Sequence, residues 1–172
     1  MNKKKTTQTF VIALAMMITL TIGSTMVFGQ DKANKRSIDE PGNTLVGVWQ
    51  STVTSYDCQT GAPFGDSIKA LYTFMQGGTM SEDNNDPLDG PYRNSAHGIW
   101  KRTSGRNYTT VFLHQSFAPD RSFTYTIKVR ANITLSPFFE SFTASSTFEV
   151  YDPSDNLVFT GCGDEKATRL TF

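Results

Sequence analysis

Apolar and polar residues alternate without a break from residue 123 to residue 136. Phe123, Tyr125, Ile127, Val129, Ala131, Ile133 and Leu135 take the odd positions, and Thr, Lys, Arg, Asn and Ser take the even ones. A period of two sends successive side chains to opposite faces, so this stretch is a strand with one dry face and one wet face. It is roughly twice the usual strand length of about 5–6 residues, as expected of a strand that follows a bending or closing sheet. Shorter versions of the pattern recur through residues 45–172, separated by segments rich in Gly, Pro, Asp and Asn.

The pattern predicts strands over 45–58, 67–75, 79–83, 97–102, 107–117, 123–136, 141–151 and 157–170. Gly77-Gly78, Ser104-Gly105-Arg106 and 118–121 are tight turns. The irregular stretches 57–66 and 84–96 are the longest. No segment of this region carries a 3.6-residue apolar period. Eight strands in simple succession imply an all-β fold, an antiparallel up-and-down arrangement that is either a sandwich or a closed eight-stranded barrel.

The two cysteines favour closure. In a closed barrel the first and last strands become antiparallel neighbours; Cys58 ends the first and Cys162 lies in the first half of the last. If they stand opposite each other, paired residue numbers sum to about 220, which sets Ser51 against Arg169 and Trp49 against Thr171. Odd residues then pair with odd ones. Trp49 and Arg169 share the inner face, and a Cys58–Cys162 disulfide staples the seam from outside.

The first 29 residues stand apart from this scheme. Lys3, Lys4 and Lys5 precede an apolar run over 10–22, followed by the small or polar residues Gly23, Ser24 and Thr25. This is the pattern of a secretory signal peptide, too short in its apolar part for a comfortable membrane span. The expected organisation is a signal peptide over 1–29, a polar segment over 30–44 and a barrel domain over 45–172. Export, to a periplasm or to the exterior, permits the disulfide, and closing so long a loop stabilises by about 4–5 kcal/mol on the chain-entropy account. Without the three leader lysines, thirteen basic residues face sixteen acidic ones, a net charge of −3. Their scatter offers no footprint for nucleic acid or an anionic membrane. After cleavage no membrane span is expected.

Gly47-Val48-Trp49 at the start of the first strand, with Arg169 on the last, resembles the lipocalin and wider calycin pattern. Avidins share the Gly-x-Trp and the eight-stranded barrel. The resemblance implies a calycin-like barrel, with structural roles for Gly47, Trp49 and Arg169 and a ligand entrance at the end carrying the long loops. Two features depart from it. The Thr-Asp-Tyr-type motif of lipocalins is absent from 136–139, and no helical pattern follows the last strand.

Loops 57–66 and 84–96 fall at one end of such a barrel, and the tight turns Gly77-Gly78 and Ser104-Gly105-Arg106 fall at the other. The first end is the expected mouth, since function concentrates on long loops. Strand phase then lists Tyr72, Trp100, His114, Phe123, Tyr125 and Phe148 as candidate ligand contacts near it, with the direction of His114 left open by apolar residues on both faces of its strand. Phe138-Phe139, at the closed end, is expected to pack over the floor beside Trp49. The acidic stretch 82–90 reads as a solvated loop, and its spacing does not match an EF-hand. No metal, cofactor or catalytic motif is evident: His-Glu-x-x-His, Gly-x-Ser-x-Gly and a glycine-rich phosphate loop are all missing.

Three functional readings follow. The first is a secreted barrel that binds a small hydrophobic molecule without chemistry. The second is a small barrel isomerase of the allene-oxide-cyclase kind, which needs a polar group such as His114 inside. The third is a solid-core structural or interaction module of the cell envelope. An open interior at the long-loop end separates the first two from the third.

Overall fold

The computed structural model describes residues 44–87 and 92–172. The signal peptide expected over 1–29 and the polar segment up to residue 43 lie outside them. Among the described residues no helix is long and apolar enough to cross a membrane.

Among the described residues nine strands run in chain order: β1 (Gly47–Tyr56), β2 (Ile68–Phe74), β3 (Thr79–Asn84), β4 (Tyr92–Arg93), β5 (Ala96–Ser104), β6 (Asn107–Phe117), β7 (Phe123–Leu135), β8 (Ser141–Tyr151) and β9 (Leu157–Arg169). The sheet order is β6-β5-β3-β2-β1-β9-β8-β7, and β7 pairs back onto β6. All the pairings are antiparallel. Closure leaves no open sheet edge among these eight staves. The fold is therefore the all-β, eight-stranded antiparallel barrel that the alternation implies, an architecture consistent with a calycin-like fold.

The short β4 is not a ninth stave. It pairs with β6 beyond the end of β5, Tyr92 opposite Phe117 and Arg93 opposite Ser116. Strands β4 and β5 form one stave, broken at Asn94-Ser95. Across the break the register against β6 slips by one residue, from His97–Leu113 to Arg93–Ser116. Asn94 fills the gap: its amide donates to Gln115 O at 3.1 Å, and its side-chain oxygen accepts from Gln115 N at 2.7 Å.

The seam between β1 and β9 pairs Trp49 with Arg169 and Tyr56 with Cys162. This differs by two residues from the expected register, which set Ser51 against Arg169. The cause is the end of β1 at Tyr56. Cys58 lies past it, in a turn where Asp57 Oδ1 accepts from the amides of Gln59 (2.9 Å) and Thr60 (2.8 Å). The chain folds back there, and Cys58 bonds Cys162 with a Cα–Cα distance of 5.1 Å. A two-residue slip preserves parity, so Trp49 still faces inward and the cystine stays on the outer side.

The lower half of the barrel is solid. Leu45, Trp49, Phe74, Met80, Leu135 and Phe142 are all fully buried there. The guanidinium of Arg169 lies 4.1 Å from the centroid of the Trp49 ring. It donates to three carbonyls, Val46 O (2.6 Å), Thr44 O (2.5 Å) and Phe139 O (2.9 Å). Gly47 passes close beneath at φ +135°, where a Cβ would stand 2.6 Å from Arg169 Nη1. Only glycine meets both demands. The Phe138-Phe139 pair divides: Phe139 packs against the core, whereas Phe138 is 81% exposed. The turn places Phe139 at φ +61°, and only that ring is aimed at the floor.

Candidate functional site

Above the tier of Tyr72, Phe112 and Phe142 the barrel opens into a cavity of about 620 Å³. Size and chemistry both follow from the alternation. Along β7 the inward residues Ile127, Val129, Ala131 and Ile133 form one apolar wall, and Phe148 and Val150 of β8 continue it. Glycines sit where a neighbouring strand or ring passes too close for a side chain. At Gly98 a Cβ would lie 2.3 Å from Val111 O and 2.4 Å from Phe112 Cβ, and at Gly161 it would lie 2.3 Å from Phe148 Cζ.

The rim is aromatic. Phe64 packs against Phe159 at 5.2 Å and Phe148 at 6.4 Å between ring centroids. Phe64 belongs to the β1–β2 loop. That loop is held by its amide bond to Ser55 O at 3.0 Å, by the Asp57 turn, and by the Cys58–Cys162 bond at its base. The bonds from Thr60 and Gln59 hold the Asp57 carboxyl below its ordinary range. The disulfide therefore anchors the loop that carries part of the rim.

Polar groups enter this apolar space from several staves. Glu82 of β3, 2% exposed, is paired with Arg93 of β4 at 2.8 Å. Glu165 of β9 is 8% exposed, and its Oε1 makes no hydrogen bond with the described residues. Burial pushes the Glu165 carboxyl up to about 7 and the Glu82 charge adds to this, while the hydroxyls of Ser51 and Tyr72 beside it pull the other way. The Tyr72 phenol is pushed well above its usual value, by burial first and then by the two carboxylates. His114 and Thr110 complete the polar part of the wall from β6.

Of the six residues named from the sequence as candidate contacts, Tyr72, His114, Tyr125 and Phe148 line the cavity. His114 points inward and is 3% exposed, which resolves its direction. Phe123 does not line the cavity. The register slip beside it leaves Thr124 without a partner on β6 and sets Phe123 against Phe117, with ring centroids 6.2 Å apart. Trp100 does not line it either. It sits low on β5 against Phe74 and Tyr108, and its indole N–H donates to Met75 O and Thr79 O at the Gly77-Gly78 turn.

Glu82, Arg93, Glu165, Phe64 and Phe159 are absent from the sequence-based list. Glu82 was legible in principle: Met80, Glu82 and Asn84 share a face, and Met80 is apolar. The reading of 82–90 as wholly solvated is corrected at its first residue, because Glu82 shares the inward face of β3 with Met80 and is buried. Among the described residues no group of three or more His, Cys, Asp or Glu side chains is placed to hold a metal ion.

No family model and no curated protein matches this chain. Among solved structures, the S-type phycobiliprotein lyase CPES of Guillardia theta is similar over 74% of this chain and 89% of its own, with 10% identity and a TM-score of 0.39.

Proposed function

We propose that this chain is an exported calycin-like barrel that binds a small hydrophobic molecule in its upper cavity without transforming it. The cavity itself carries the reading. At about 620 Å³ it lies within the range of about 300–1,000 Å³ usual for small-ligand sites, and it combines apolar walls with a few inward polar groups. The cystine and the basic-then-apolar leader both suit an oxidising compartment, either the periplasm or the exterior. The test is binding of an apolar fluorescent dye to the mature, oxidised domain. Saturable binding is expected, and it is expected to weaken when Ala131→Leu fills the cavity from its wall. A folded protein that takes up no dye overturns the reading.

The inward position of His114 favours a second reading, an isomerising barrel of the allene-oxide-cyclase kind. Offering an allene oxide and following ring closure tests it. A rate equal to that in buffer, or one unchanged in His114→Gln, overturns it. The third reading, a filled barrel acting only through its surface, accounts for the packed floor but leaves the upper cavity unexplained.

A further inference from the structure

The two carboxylates of the cavity differ in one respect. Glu82 has its countercharge, Arg93, at 2.8 Å. Glu165 has none: among the described residues it forms no ion pair, the groups acting on it are Ser51, Tyr72 and Glu82, and Oε1 accepts no hydrogen bond. Its neighbours Asp164 and Lys166 alternate to the outer face and are exposed. A buried carboxylate without a partner is costly, and the cost is removed by a cation that forms hydrogen bonds to it.

This inference rests on the ligand-binding reading and deepens it. We infer that the hydrophobic ligand carries a protonated amine, which docks on Glu165 Oε1 beside the Tyr72 hydroxyl while its apolar body lies along the β7 wall. An ammonium brings three donors and no acceptor. Glu165 Oε1 and the phenolic oxygen of Tyr72 offer acceptors on the cavity lining, and Glu82 contributes further negative potential that Arg93 only locally offsets. An anionic head would meet two carboxylates in a space that screens poorly, which disfavours fatty acids. A hydroxyl head would satisfy Oε1 and leave the charge in place.

The experiment uses three probes with the same apolar chain, dodecylamine, dodecanol and dodecanoate, titrated into the mature oxidised protein at neutral pH by calorimetry and by dye displacement. The amine is expected to bind about tenfold or more tighter than the alcohol, as a charge-assisted bond should provide, and the carboxylate is expected to bind weakest. In Glu165→Gln the advantage of the amine over the alcohol is lost. Binding of dodecanoate as tight as that of the amine overturns the inference. So does an amine preference that survives Glu165→Gln. Should that variant fail to fold, the ranking of the three heads on the native protein still decides. Failure of all three probes overturns the ligand-binding reading as well, whereas alcohol binding without amine preference overturns only the amine.

Discussion

Arg93 and Glu82 meet at 2.8 Å inside the barrel only because the stave of β4 and β5 is broken between them and His97. On β5 the inward residues are even-numbered, Ala96 and Trp100 among them. An unbroken strand would therefore turn Arg93 out to solvent. The one-residue slip at Asn94-Ser95 reverses the phase and brings it in opposite Ser116.

Removing one partner of this pair should be far worse than removing both. Arg93→Met leaves Glu82, 2% exposed, without its cation, and a loss of about 3–5 kcal/mol is expected. In Arg93→Met/Glu82→Met most of that loss should return. Urea unfolding of Arg93→Met, Glu82→Met and the double variant against the native chain measures both effects.

Glu165 should make the fold less stable as the pH rises. Its folded pKa is raised from 4.5 to about 7, so between these values the folded state binds more protons than the unfolded one, and stability falls with increasing pH. The contribution is fully present below about 4.5, declines through the window and is gone above about 7. Its size is on the order of 3 kcal/mol. The groups facing it are Tyr72 from β2, Glu82 from β3 with Arg93 beyond it, and Ser51 from β1. The difference between native and Glu165→Gln stability profiles isolates the carboxyl, and that difference should vary with pH only across this window.

Gly47→Ala and Arg169→Met should each destabilise the floor while leaving ligand affinity of the folded fraction intact. The first forces a side chain into φ +135° and against the guanidinium, at a cost of about 1–3 kcal/mol. The second removes three charged hydrogen bonds to carbonyls and the cation over the Trp49 ring, at a cost of about 2–4 kcal/mol. Combined, they should cost less than the sum, since the clash at Gly47 is with Arg169 itself. Denaturant midpoints and dye affinity, measured together, check the separation.

Loss of the cystine should act on both stability and binding. Cys58→Ser/Cys162→Ser opens a link spanning 104 residues and is expected to cost about 4–5 kcal/mol. It also releases the base of the loop that holds Phe64 on the rim, so dye should dissociate faster from the folded variant. Stopped-flow release at a temperature where the variant remains folded measures this.

Much of the fold was legible because alternation is a local property. Each strand reports its own two faces, and Cys58 with Cys162 tied the ends of the succession together. The list of site residues was less complete for the same reason. Trp100 has the right phase, but it lies too far down its strand, and depth depends on stagger against neighbouring staves. Phe123 continues the odd series of its strand, yet the extra residue at Thr124 takes it off the cavity face. Such a slip depends on how two staves meet and leaves no mark in either one alone.

The sequence by itself determined an antiparallel β-barrel with a stapled seam, because period-2 patterning, turn residues and the placement of two cysteines are encoded along the chain. Only the tertiary structure decided that the lower half is packed and the upper half open, and that Arg93 turns inward to Glu82. It alone left Glu165 Oε1 buried without a hydrogen bond from the described residues. These outcomes depend on the register between staves, where a shift of one residue exchanges the inner face for the outer one.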